Sequence, residues 1–266
     1  MDTKENLEHI ATFDFENKET WEQDWTTDKP EFHNDEVNPM LIKHHHEFTG
    51  GRKNLRILVP LCGKSVDMIW LADQGHSVVG IELIRKGIEV FLRDNKLTHR
   101  EELVSLTPEV QGTIFHANEK DISLFECSIF DFSAEVAGGQ FDCIWDRGSM
   151  TAINMMKEGR LKQYIDLMLS CLKPDGRYLL EFFAPESLKG MPPTFKFISE
   201  KILRELFEER CTIQFLGKDK SPDESTGPEG SGADKCEIPG DGKEIEHDEG
   251  ANMLMHYYFM DFKEAN

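Results

Sequence analysis

Gly63, Glu82 and Arg147 are the residues of this chain whose types and surroundings could do chemistry. A lone glycine lets a flat ligand lie against the backbone, a carboxylate accepts hydrogen bonds from hydroxyls, and a guanidinium stays charged even when partly buried. Each stands at the end of an apolar run that reads as a strand. Gly63 lies in the turn Cys62-Gly63-Lys64 after the run 55–60, Glu82 near the end of 77–83, and Arg147 just after 141–145. Strands running the same way deliver such end residues to one edge of a sheet, where nucleoside cofactors bind in open α/β folds. No Ser–His–Asp or Cys–His constellation is legible. The six cysteines show no CxxC pair or metal-ligand spacing and read as reduced thiols, so no metal is expected. His44, His45 and His46 diverge around a helix and read as a solvated helix end.

The elements that must position these residues follow from the pattern. Residues 55–60 form a continuous, branched apolar run, as expected of a strand buried on both faces. Ser65 is a candidate N-cap, Val66, Ile69 and Trp70 share a helical face, and Gly75 stands where the helix ends. Residues 77–83 return as a parallel strand and complete a βαβ unit. Further on, the periodicity predicts a helix over 85–95, a hairpin-like pair at 113–117 and 122–127, and a strand at 141–145. One long helix follows over 153–172, then a turn at 173–176, a strand at 177–183, a helix over 199–210 and strands at 212–216 and 253–262. Residues 98–112 read as mixed and turn-rich. Such alternation predicts a doubly wound, mostly parallel α/β sheet. Upstream, Trp21 and Trp25 are one helical turn apart, and 39–48 reads as a helix leading to the first strand.

The turn restricts the ligand. A dinucleotide needs several glycines so that amides can close on a pyrophosphate, whereas Gly63 stands alone before Lys64. A nucleoside without phosphate suits such a turn, with the acid accepting from its ribose hydroxyls, and S-adenosyl-L-methionine is a ligand of that kind. The same residues also fit a nucleotide-free α/β core in which Glu82 is only a solvated strand end.

The run VPLCGKSVDMIWLADQGHSVVGIE, with CSIFDF at 127–132, FDCIWDRGSMTAIN at 141–154 and the entry segment WEQDWTTDKPEFH at 21–33, resembles the thiopurine S-methyltransferase family. The blocks occur in family order and cover most of residues 20–216. The resemblance implies a seven-stranded Rossmann-like methyltransferase sheet whose last strand is antiparallel. It implies an S-adenosyl-L-methionine-dependent S-methyltransferase acting on small aromatic or heterocyclic thiols, with S-adenosyl-L-homocysteine as the product. Carried over by position, Glu82 binds the ribose hydroxyls, Leu61 and Gly63 line the cofactor turn, and Ser128 and Ile129 contact the adenine. Trp21 and Trp25 close over the cofactor, Phe32 lies between cofactor and acceptor, and Arg147 is the active-site cation. Lys64 and Asp67 are weaker candidates. Core packing is the competing account of Trp21, Trp25 and Phe32, and a loop-fixing contact with Asp146 or a glutamate is that of Arg147. Family members carry a second arginine before the final strand, and no arginine follows Arg210 here. That departure keeps open a different soft nucleophile, such as sulfide or halide, or a relative that binds the cofactor without catalysis. A nicotinamide oxidoreductase is disfavoured by the missing GxGxxG turn.

Whole-chain properties narrow the partners. At 266 residues the chain suits one α/β domain over 20–266, behind a flexible tail over 1–19. A net charge of −20 disfavours nucleic acid and anionic membranes. The start has neither the basic nor the apolar part of a signal peptide. A cytoplasmic monomer with a small-molecule thiol substrate is expected. Residues 217–250, rich in Gly, Pro, Ser, Asp and Glu, are expected to be a disordered acidic insertion.

Overall fold

The computed structural model describes residues 13–26, 33–183, 195–220 and 254–263. In chain order the strands are β1 (Arg56–Val59), β2 (Ser77–Glu82), β3 (His99–Ser105), β4 (Gln111–Ala117), β5 (Ile122–Glu126), β6 (Phe141–Arg147), β7 (Leu172–Phe183), β8 (Cys211–Lys220) and β9 (Leu254–Phe262). They form one sheet in the order β3-β4-β5-β2-β1-β6-β7-β9-β8. Strands β5, β2, β1, β6 and β7 are mutually parallel, and β9 runs antiparallel to β7, as expected for the last strand. The strand order reverses between β1 and β6, and in open α/β sheets ligands bind at the carboxyl ends of the strands around such a reversal.

Helices cover both faces. On one lie α2 (Pro39–Thr49), α3 (Asp67–Asp73) and α4 (Arg85–Asp94), which bury Leu41, Phe48, Met68, Leu71, Ile88 and Phe91 with Ile57, Trp145 and Leu179 of the sheet. On the other lie α5 (Ser149–Met155), α6 (Arg160–Cys171) and α7 (Glu200–Phe207), whose Met150, Tyr164, Met168 and Leu203 pack on Ile144, Tyr178 and Tyr258. A short helix α1 (Lys18–Asp24) precedes them, capped by the Asn17 side chain.

Several sequence expectations are corrected. The sheet holds nine strands rather than seven, because β3 and β4 add an antiparallel ribbon beyond β5. Strand β3 escapes a periodicity reading because it buries almost nothing; its charges pair instead, Arg85 with Glu101 and Arg100 with Glu102. The expected long helix over 153–172 is two helices, broken before Arg160 by a left-handed Gly159 at φ 87°. The turn signal at 173–176 lies inside β7, where Phe141 pairs with Leu172 and Cys143 already with Arg177, so the intervening residues bulge out. Residues 13–19, read as tail, are partly packed: Phe13 and Phe15 are buried against Trp21. Residues 217–220 extend β8, and the rest of the expected acidic insertion lies outside the described residues.

His45 is not a solvated helix end. His76 accepts from the Leu55 amide through Nδ1 at 3.3 Å, which leaves its proton on Nε2, 3.1 Å from Nε2 of His45. Burial pushes both imidazoles below the ordinary histidine range, with mutual proximity adding to the effect at His76. Neutral rings are thus favoured by folding. Their contribution is complete above the ordinary histidine value and is lost as pH falls from there through the lowered values of the folded chain. The melting temperature is expected to drop by a few degrees between pH 7 and 5, and the drop should shrink in a His45→Gln/His76→Gln variant. An equal drop in both proteins would assign the acid sensitivity elsewhere.

Candidate cofactor edge and acceptor-side arginine

The turn after β1 is bound to the end of β2. Leu61 and Gly63 both take left-handed backbone, at φ 44° and 48°, a conformation that costs a leucine about 1–2 kcal/mol. The Cys62 amide donates to the Ile81 carbonyl at 2.8 Å, and the Gly63 amide to Glu82 Oε2 at 3.0 Å. Ile84 N–H donates to the other carboxylate oxygen at 2.8 Å. Glu82 is 8% exposed, so it is a buried, oriented acid rather than a solvated strand end. Burial pushes its carboxyl up to about 7, against the pull of the Ile84, Gly63 and Leu83 amides. The Gly63 and Ile84 amides hold one oxygen each, and a carboxylate retains lone-pair capacity for further donors.

The N-terminal segment lies over this turn. A Cβ on Gly63 would stand 2.1 Å from Nε2 of His33, so only glycine admits that ring here. His33 in turn lies 4.7 Å from the Trp25 ring. Trp25 is buried on α4, where a Cβ at Gly87 would meet its indole at 2.7 Å and the Glu82 side chain at 3.3 Å. Gly63, Glu82, Gly87, Trp25 and His33 therefore converge. Trp21 is half-buried, packs on Phe13 and Phe15, and donates to the Phe15 carbonyl at 3.2 Å. Glu16 ties the segment down, 3.1 Å from Lys157 and 3.5 Å from Arg160. Phe32 lies outside the described residues.

Ser128 and Ile129 follow β5 on the same edge. The Cys127 amide donates to the Glu82 carbonyl at 3.0 Å, which binds this segment to the end of β2. Ser128 caps a single 3-10 turn, Ile129–Asp131, by accepting from Phe130 N–H, and Ile129 is buried. The Arg160 guanidinium stacks over Phe130 at 4.2 Å, so one arginine links the N-terminal segment to this turn.

Arg147 is the last residue of β6 and pairs in register with Glu181 of β7. Its Nε lies 3.5 Å from Glu181 Oε1. Asp146 is not its partner; that carboxylate faces the other helical layer and accepts from the Tyr164 and Tyr178 hydroxyls, each at 2.6 Å. Glu181 is buried and also takes hydrogen bonds from the Asn38 amide and the Tyr257 hydroxyl. Burial pushes its carboxyl up while Arg147 draws it down. Asp67 is occupied structurally, accepting from Asn38 N–H at 2.8 Å and Trp145 Nε1 at 2.9 Å. Lys64 is half-buried in the turn. No group of three His, Cys, Asp or Glu converges on a metal position among the described residues.

His33, Asn38, Gly87 and Glu181 were not legible as site residues. Asn38-Pro39 is a recognisable helix start, and the structure adds that the amide of Asn38 reaches Glu181. Glu181 had one signal, a single acid inside the apolar strand LLEFF. Gly87 looks like a mere weak point in an amphipathic helix until Trp25 is seated against it.

A reversing sheet with an acid closing its second strand and a glycine turn hydrogen-bonded to that acid defines a Rossmann-like fold of the methyltransferase class. The N-methyltransferase NodS from Bradyrhizobium japonicum WM9, solved with S-adenosyl-L-homocysteine, has this fold with a TM-score of 0.56 at 14% identity, over 91% of this chain and 97% of that one. The family model described as thiopurine S-methyltransferase matches residues 16–236. Thiopurine S-methyltransferase of Bos taurus is 38% identical over 200 residues, 75% of this chain and 79% of that protein. A probable thiopurine S-methyltransferase of Danio rerio is 38% identical over 198 residues, 74% and 82% of the two chains. The chain belongs to the thiopurine S-methyltransferase family and is an S-adenosylmethionine-dependent methyltransferase.

Proposed function

We propose that this chain methylates a small aromatic or heterocyclic thiol, with the cofactor held on the Gly63–Glu82 edge and the acceptor beside Arg147. The hydrogen bond between the Gly63 amide and Glu82 carries the reading, because it joins the bare turn and the acid into one surface. The residues fit the cofactor: Glu82 keeps lone pairs for two ribose hydroxyls, and Gly63 and Gly87 omit side chains where flat groups pack. Leu61 lines the same turn, Ser128 and Ile129 offer a hydroxyl beside an apolar surface for the adenine, and Trp21 and Trp25 exclude water from above. Phe32 is assigned to the boundary between cofactor and acceptor on the resemblance alone.

When bound, S-adenosylmethionine supplies an electrophilic methyl group on a sulfonium. The chain's own work is orientation and charge. In-line displacement needs the acceptor sulfur opposite the leaving sulfur at near-attack distance, so a rigid edge and a closed N-terminal segment contribute most. Arg147 stabilises negative charge on the acceptor sulfur, and a thiol of low pKa then needs no strong general base. The experiment is transfer of a labelled methyl group to mercaptopurine, thiophenol, sulfide and iodide. Turnover of the aromatic thiols well above the two inorganic acceptors is the expected result. Transfer confined to sulfide or iodide would overturn the aromatic assignment, and no transfer to any acceptor would leave a cofactor-binding relative without catalysis.

A further inference from the structure

Glu181 is a buried carboxylate beside Arg147 to which the reaction above gives no task. It sits near the carboxyl end of β7 within the apolar run 179–183, 2% exposed, beside the cation that would meet the acceptor. Burying a carboxylate without purpose is unfavourable, and an apolar residue would suit the strand better. Its surroundings are built to hold it. Asn38 donates one amide hydrogen to it while its carbonyl oxygen caps α2 through Met40 and Leu41, and the Tyr257 hydroxyl donates from β9. The groups facing it are therefore Arg147 from β6, Asn38 from the start of α2, Asp67 from the start of α3 and Tyr257 from β9. One cation stands among two carboxylates.

We propose, building on the acceptor position above, that Glu181 sets the charge of the acceptor site: by pairing with Arg147 it cancels the field of the guanidinium, so this chain selects uncharged aromatic thiols over those bearing an additional anionic group. The pairing is one-sided. The Asn38 amide holds Oε2 and the Tyr257 hydroxyl adds a second hydrogen bond, while Oε1 stands 3.5 Å from the Arg147 Nε. A guanidinium held this way keeps its planar orientation and short-range hydrogen bonding but exerts little long-range attraction on a carboxylate ligand.

The test is equilibrium binding of two unreactive methyl thioethers, thioanisole and 2-(methylthio)benzoate, to the chain saturated with S-adenosyl-L-homocysteine. The native chain should bind the neutral thioether at least as tightly as the carboxylated one. Glu181→Gln should shift the ratio of the two dissociation constants toward the carboxylated ligand by about tenfold. A purely structural Glu181 would weaken both ligands together and leave the ratio where it was, which overturns the proposal. Native preference for the carboxylated thioether, or no binding of either ligand to native and variant chains alike, overturns it as well. Glu181→Leu, suited to the apolar strand, gives the same reading if the glutamine variant does not fold. Because neither ligand is methylated, the ratio is readable even if the native chain transfers no methyl group to thiols, a result that would fall on the proposed reaction instead.

Discussion

Glu82→Ala is expected to weaken S-adenosylmethionine binding by at least about a hundredfold. Two hydrogen bonds from ribose hydroxyls to a carboxylate account for this, at about 1.5 kcal/mol each toward the lower end for charged acceptors. The substitution also strips the Gly63 and Ile84 amides of their acceptor, so the turn that the ligand meets loses its shape together with its acid. Titration calorimetry measures the loss, and a melting curve separates it from unfolding. Glu82 adds a proton signature. Its carboxyl titrates at about 7 in the free chain, and ribose hydroxyls favour the ionised form. Binding should therefore release a proton near neutrality, and affinity should fall as pH drops below about 7. Glu82→Gln should bind with no such pH dependence. Unchanged affinity in Glu82→Ala would remove the cofactor from this edge.

The second large effect is expected at Arg147. Arg147→Ala should lower kcat by about a hundredfold or more, while the dissociation constant of S-adenosylmethionine changes by only a few fold. Loss of a donor that stabilises developing or existing negative charge acts on the reaction more than on cofactor binding. Arg147→Lys should recover little, since lysine cannot reproduce the planar guanidinium that stands beside Glu181. The buried Glu181 would then face an empty position, so stability is measured in parallel. Equal losses in turnover and cofactor affinity would reduce Arg147 to a loop-fixing residue paired with Glu181.

The parts of the fold that were legible are those whose periodicity reports burial. Strands β1, β2 and β6 are buried on nearly every residue, and α4 presents Ile88, Phe91 and Leu92 along one stripe, so both read directly from sequence. Strand β3 was hidden because it lies at the sheet edge with its side chains in water, where no alternation is enforced. The break between α5 and α6 depended on the backbone of Gly159, which in sequence resembles a tolerated helical glycine. The site divides in the same way. Gly63, Glu82 and Arg147 announce themselves as strand-end residues of unusual type. His33 and Glu181 become visible only when distant segments meet, residue 33 on the turn at 63 and residue 181 opposite residue 147. Long-range register of that kind leaves no local pattern.

In the proposed complex, a cofactor on the Gly63–Glu82 edge faces an acceptor held beside Arg147. A crystal structure with S-adenosyl-L-homocysteine and an aromatic thiol tests it most directly. The expected density places the ribose hydroxyls within hydrogen-bond distance of Glu82, and the thiol sulfur in line with the homocysteine sulfur on the Arg147 side. A ribose bound away from Glu82, or a thiol lodged away from Arg147, would contradict it.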